Sequence, residues 1–243
     1  MHRPGHPQRG GFVNGRTVGS LIAATFPVLL ALEAAAAQVP GRCEQPADDG
    51  NTPVGCYLLA SVPLGELPDE PVYWHLYSFR SAKEAEEMLV RGGTATGAFD
   101  RGWLFAIAGS AWRPAGGIRV AVLGPILVVP GRRYTARYIT SHLSPGMQTR
   151  VHRHPGGPEL FYVLEGGQCI ETPEGRIVVE QGESPTIPAR TPMQLTAYGS
   201  RVQRSLGLIL HESDKPWVDR SPVAWNPLGL CAADPAQSAI GTE

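Results

Sequence analysis

The stretch from Gly146 to Gly166 constrains this chain most: Gly-Met-Gln-Thr-Arg-Val-His-Arg-His-Pro-Gly-Gly-Pro-Glu-Leu-Phe-Tyr-Val-Leu-Glu-Gly. His152 and His154 are two residues apart, a spacing that sets both imidazoles on one face of a strand. The pattern predicts a strand over Thr149–His154 and a Pro-Gly-Gly-Pro turn. Glu159 then heads a returning apolar strand, Leu160–Glu165. Two imidazoles and a carboxylate converging across a hairpin make a divalent-metal site. A His-x-His pair alone says little, because solvated strands carry such pairs by chance. Here glycines bracket the hairpin, and Phe161 and Val163 share the face of Glu159, as a barrel lining requires. Tyr162 is expected to face away. The competing reading is a relic site that holds no metal.

The rest of the chain supports a mainly β fold. Glycine (29) and proline (23) separate short apolar runs, the mark of many turns and short strands. Strands are predicted at Val54–Val62, Val72–Phe79 and Gly102–Ala108, with a helix from Ser81 to Gly92. Ser81 and Glu84 form a capping box, and Gly92 supplies the stop. This block reads as a small α+β extension spanning residues 38–114. Dense β pattern follows over 115–212. Strands are predicted at Ile118–Leu123, Ile126–Val129, Tyr134–Leu143, Gln168–Thr172, Arg176–Glu180, Ser184–Ile187, Gln194–Tyr198 and Val202–His211. Short strands at this spacing indicate a jelly-roll barrel. Residues 213–243 read as an irregular tail, packed on the barrel by Trp217 and Trp225.

Residues 1–37 differ in kind. Arg3, Arg9 and Arg16 precede an apolar run from Val18 to Leu32 and small residues Ala34–Ala37. This is the pattern of a secretory signal peptide cleaved before Gln38, so the mature protein is expected to be exported, periplasmic or secreted. An uncleaved anchor is the alternative, but Pro27 and Glu33 interrupt a run shorter than the roughly 20 residues a bilayer needs. No other segment is apolar enough to span a membrane. In an oxidising compartment four cysteines suggest disulfides, and the expected pairs are Cys43–Cys56 and Cys169–Cys231. A free Cys169 near the metal is the rival reading.

Charge is balanced, with 21 basic and 22 acidic residues, and no basic cluster interleaves with aromatics. Nucleic acid is therefore not an expected partner. The expected partner is a small molecule, and a homodimer stays open.

The glycine, histidine and glutamate spacing of residues 146–166 resembles the first signature of the cupin superfamily. In that family the two His and the Glu bind a divalent metal inside a jelly-roll barrel. The second signature begins as expected with Gly182 and Pro188, then departs. Arg190 stands where the family has glycine, Met193 where it has a metal-binding His, and Ala197 where it has Asn. The resemblance covers about residues 115–212. It implies His152, His154 and Glu159 as ligands, with Met193 at the fourth position. If Met193 only packs, the remaining two-His, one-carboxylate set suits Fe, Mn, Ni or Zn. If its thioether ligates, copper is favoured. The third reading is a dry pocket without metal, and a bulge turning Gln194 inward stays open. The implied activity is an exported metal-dependent oxidoreductase of the dioxygenase type. A non-catalytic small-ligand binder and a metal-assisted isomerase or lyase are the alternatives. His142 and His211 are candidates for a positioning partner or general base, and His75 for packing.

Overall fold

A computed structural model describes residues 55–90, 92–221 and 224–232. The expected signal peptide, Cys43 and the polar segment before residue 54 lie outside the described residues. The described part is mainly β. In chain order the elements are β1 (Gly55–Glu66), β2 (Val72–Phe79), α1 (Ala82–Glu87), β3 (Gly93–Ala98), β4 (Arg101–Ala108), β5 (Ile118–Ile126) and β6 (Arg133–Leu143). There follow β7 (Glu159–Glu165), β8 (Gly167–Thr172), β9 (Gly175–Glu180), β10 (Thr186–Ile187), β11 (Gln194–Tyr198) and β12 (Gln203–Glu212).

Three sheets result, ordered β1-β6-β12-β7-β10, β11-β8-β9 and β3-β4-β2-β5. The five-stranded sheet has two distinct faces. Alternation along β6, β7 and β12 sends Tyr134, Ala136, Tyr138, Leu160, Leu206 and Leu208 to one side, where they join Trp74, Leu76 and Phe105 in one apolar core. The opposite face carries Ile139, Ser141, Glu159, Phe161, Ser205, Gly207 and Ile209 around an internal cavity. Tyr162 packs on the apolar core side, as the odd spacing from Glu159 predicts.

The sheets interleave the two regions expected to meet at residue 115. β1 pairs with β6 from Gly55↔His142 to Glu66↔Arg133. β5 instead joins the four-stranded sheet beside β2. Residues from both sides of that position thus share a single core.

Several elements depart from the sequence reading. Thr149–His154 is not a strand; it makes only the single bridges His152↔Met193 and Arg153↔Asp219, after Gln148↔Thr196 just before it. The segment changes partner from β11 to the chain after β12 within a few residues, so no continuous ladder forms. Ile118–Leu123 runs on through a cis Gly124–Pro125 bond to Ile126 as one strand, β5, and the rest of the strand expected over Ile126–Val129 does not form. The helix is shorter than expected, ending with Met88 as its C-cap. Its cap is as predicted at one end, Ser81 Oγ accepting from the Glu84 N–H at 3.2 Å. The Glu84 carboxylate accepts from the Arg80 N–H at 3.0 Å. β3 had no sequence signal. It pairs with β4 through a tight turn in which Phe99 and Asp100 both hold positive φ, 53° and 57°. That is the primed-turn geometry usually signalled by Asn-Gly.

The described part of the tail is irregular, as expected, and is fastened to β8. Cys169 and Cys231 form a disulfide. Two residues along β8, the Glu171 carboxylate accepts from the N–H groups of Leu228 and Leu230. Arg176 donates to the Leu230 carbonyl at 2.6 Å. Among the described helices none is long and apolar enough to cross a membrane.

Candidate metal centre

Glu159 opens β7 and is held by register against Ile209 of β12 and Ile187 of β10. The Pro155–Pro158 turn lies against β12 so closely that Gly157 is obligatory. A Cβ there would stand 1.7 Å from the Leu210 carbonyl oxygen. This contact fixes the spacing between the histidine segment and Glu159. His152 is placed from the other side, exchanging backbone hydrogen bonds with Met193 at 3.1 and 2.9 Å. His154 is anchored by its carbonyl, which accepts from the Arg190 N–H at 2.9 Å. Arg190 holds φ 67°. The turn keeps the conformation natural to glycine without the glycine, and the backbone still reaches His154.

His152, His154 and Glu159 come together without a continuous strand. Each offers one ligand atom, and these atoms lie within 4.8 Å of one another. The imidazoles meet nearly edge-on, 5.2 Å between centroids at 84°. Glu159 and His154 are almost fully buried, 3% and 4% exposed. The His152 Nδ1 donates to the Arg150 carbonyl at 2.8 Å, and the His154 Nδ1 donates to the Trp217 carbonyl. Both rings thereby leave Nε2 as the outward nitrogen, the arrangement by which backbone carbonyls orient metal-binding imidazoles.

His154 Nε2 and Glu159 Oε2 are 2.9 Å apart, yet neither is satisfied as a hydrogen-bond partner. Two buried polar atoms so close and so poorly aligned to each other leave room for a third atom that both address. An unpaired carboxylate and imidazole at this burial would cost several kcal/mol. A divalent cation satisfies both and suits the donor set, so the residues fit a metal.

The electrostatics agree. Burial works against protonation of both histidines. At His152 it prevails and lowers the pKa. At His154 the adjacent Glu159 outweighs it and the pKa is raised. The Arg220 guanidinium opposes protonation of both rings.

Met193 is fully buried in an apolar cluster with Leu143, Phe161, Ile170, Ile187 and Leu195. Its backbone holds His152, while its side chain is not among the groups lining the cavity. Gln194 is turned to Thr149, its Nε2 donating to that carbonyl at 3.0 Å. His211 is buried on the cavity-facing parity of β12, its Nδ1 donating to the Glu212 carbonyl. His142 stands away from the trio, edge-on to Phe99. His75 packs in the four-stranded sheet, donating from Nε2 to the Gly109 carbonyl at 3.0 Å. Cys169 is in its disulfide and so is not a free thiol at the site.

Sequence reading missed the segment that roofs the site. Residues 217–220 return over the cavity after β12 and contribute Trp217, Val218 and Arg220 to its wall. Arg153 and Asp219 clamp it in place. Their backbones exchange hydrogen bonds at 3.1 and 2.9 Å, and the guanidinium donates twice to Asp219 Oδ2, at 2.9 and 2.7 Å. Trp217 stacks beside His154 and lies under Arg137. The cavity itself is small, about 40 Å³. A water needs roughly 10–15 Å³ on this measure, so the space admits a metal's exchangeable ligands or a compound of few atoms.

Residues 139–202 match the family model of the cupin domain. No curated protein matches the chain in sequence. Among solved structures, similarity is found to the DMSP lyase DddQ from Ruegeria pomeroyi, at 15% identity and a TM-score of 0.32, over 37% of this chain and 45% of that one. An oxalate oxidase in complex with glycolate aligns at 18% identity and a TM-score of 0.31, over 37% and 46%. A cupin-2 domain protein from Shewanella frigidimarina aligns at 18% identity and a TM-score of 0.26, over 34% and 74%. The chain thus covers less than half the length of the first two.

Proposed function

We propose that this member of the cupin superfamily is an exported metal-dependent oxidoreductase of the dioxygenase type, acting on a small molecule. One observation carries the reading. His152, His154 and Glu159 converge on a shared point at the wall of a mostly apolar cavity, while the fourth family position, Met193, packs in the core. Three protein ligands on one side leave open positions on the other. A redox-active divalent ion held there would supply Lewis acidity and electron transfer toward O2.

The chain's own residues supply the rest. Trp217 and Arg150 carbonyls fix the imidazole tautomers. Ile139, Phe161, Leu195 and Ile209 keep bulk water from the centre. His211 lies close enough to sense the charge of His154; its Nδ1 donates to the Glu212 carbonyl, so the buried Nε2 is the unprotonated nitrogen. The isomerase or lyase alternative would draw on His211 as general base. Export is supported by the Cys169–Cys231 disulfide, a bond typical of oxidising compartments.

The test is reconstitution of the purified protein with Fe(II), Mn(II), Ni(II), Zn(II) or Cu(II), followed by elemental analysis and oxygen-electrode screening. Wild type should hold about one equivalent of metal and His152→Ala little. Equal and negligible metal in both ends the metal reading. Substrate turnover without O2 uptake would favour the isomerase or lyase.

A further inference from the structure

We propose that the cavity has a second recognition point at its far end, a serine floor that hydrogen-bonds an oxygen acceptor of a small organic acid bound at the metal-binding trio. The inference rests on the metal-centre reading and names the substrate class for that site.

Register locates the floor. Glu159 pairs with Ile209, Phe161 with Gly207, and Val163 with Ser205. On the other side of β12, Gly207 pairs with Ile139 and Ser205 with Ser141. The cavity lining therefore descends in rungs. The metal-binding trio and Ile209 form the top, Phe161, Gly207 and Ile139 the middle, and Ser205 and Ser141 the floor. Top and floor are four residues apart, about 13 Å along the strand. On the middle rung the Ile139 side chain lies over Gly207, where a Cβ would stand 2.6 Å from Ile139 Cγ1, so the passage there is narrow and apolar.

Proton bookkeeping makes the floor a donor. The Ser141 hydroxyl donates to Gln203 Oε1 at 3.0 Å. Gln203 Nε2 donates to Ser205 Oγ at 2.8 Å and to Gln168 Oε1 at 3.1 Å. Ser205 accepts in this network and its own O–H remains to be given. Gln168 Nε2 is fully buried and has no partner. Exchanging N and O in both amides makes the Ser141 O–H the remaining one instead. In either assignment one serine hydroxyl on the cavity wall is left as a donor. All four residues are 0–5% exposed, so these donors are not on the outer surface. A buried donor is satisfied by an acceptor oxygen.

The top of the cavity favours the acid's other end. A divalent ion bound by two neutral imidazoles and one carboxylate keeps net positive charge, and Arg150 and Arg220 also line that end. Between the ends the wall is apolar. A metal–oxygen bond and a hydrogen bond take up part of the length. What remains, within a cavity of about 40 Å³, suits a short chain of about three or four carbons. The ligand is thus a short acid with a carboxylate at the metal and a second carboxylate or carbonyl oxygen at the serines.

The experiment uses full-length Mn(II)-loaded protein, titrated calorimetrically with straight-chain dicarboxylates of three to seven carbons and the monocarboxylates of equal length. A hydrogen bond to a charged acceptor predicts that the best dicarboxylate binds about 10-fold or more tighter than its monocarboxylate. Ser141→Ala with Ser205→Ala should erase that preference while metal content and monocarboxylate affinity stay unchanged. Equal affinities in the wild type overturn the inference, as does a preference that survives the double substitution. If the double variant fails to fold, the wild-type series alone decides. A wild type that takes up no Mn(II) on elemental analysis overturns the metal reading itself; one that takes it up without discriminating overturns only the serine floor.

Discussion

Replacing Met193 separates packing from ligation. Its side chain is completely buried against Leu143, Phe161, Ile170, Ile187 and Leu195. Met193→Leu conserves volume and apolarity, so a packing role predicts a loss below about 1.5 kcal/mol. Met193→Ala removes three side-chain heavy atoms. At about 0.8 kcal/mol per methylene-sized group the transfer loss is roughly 2.4 kcal/mol. A residual void of about 60 Å³ at roughly 24 cal/mol per Å³ adds about 1.4 kcal/mol. The sum, near 4 kcal/mol, should appear as a lower urea midpoint at unchanged slope. Metal content and metal preference of Met193→Leu should equal wild type, since its thioether is not part of the cavity wall. A folded Met193→Leu protein that loses its metal, or changes which metal it takes, would refute this and make sulfur a ligand.

Other consequences can be checked as directly. Cys169→Ala with Cys231→Ala opens a bridge between residues 62 apart, and loop entropy predicts a loss of about 4 kcal/mol in denaturant unfolding. Asp219→Ala should lower metal affinity by roughly 10-fold in a chelator competition, because the roofing segment that orients His154 loses its clamp. Asp219 titrates near 2 through its bonds with Ser221 and Arg153, so its contribution is present above the ordinary carboxylate range and is lost only as pH falls toward 2. Burial holds the pKa of His75 below its ordinary value, so below about 6.5 the unfolded chain binds a proton that the folded chain refuses. Stability should therefore fall as pH drops from 6.5, and less steeply in His75→Gln. Arg190→Gly should be neutral or stabilise by up to about 1 kcal/mol, since the residue already holds a positive φ.

What the sequence disclosed depended on whether the information was local. The trio was legible because its spacing is set by one turn and one strand start. The capping serine and the face of Tyr162 were legible for similar reasons, whereas the Cys169–Cys231 bridge, 62 residues apart, followed only from expected export and from pairing the two nearer cysteines first. The strand expected over Thr149–His154 failed because its partners, Met193 and Asp219, belong to different parts of the chain. Period-two spacing then reflected convergence of the two imidazoles beside Glu159 rather than a ladder. β3 was hidden because Gly-Thr-Ala-Thr-Gly-Ala carries little apolar signal and its turn uses Phe-Asp. The roof and the serine floor were hidden more deeply. Ser205, Gly207 and Ile209 alternate visibly, but only the pairing of β12 with β7 says that this face looks into the cavity.

The roof has a consequence for when the centre comes into being. Trp217 and Asp219 follow the last barrel strand, so every sheet hydrogen bond can be in place while His154 still lacks the carbonyl that turns it. A chain that emerges amino end first therefore completes its ligand geometry last. On the proposed metal reading, tight uptake would report that this segment has docked, and a chain clipped before Trp217 would hold an ion less well.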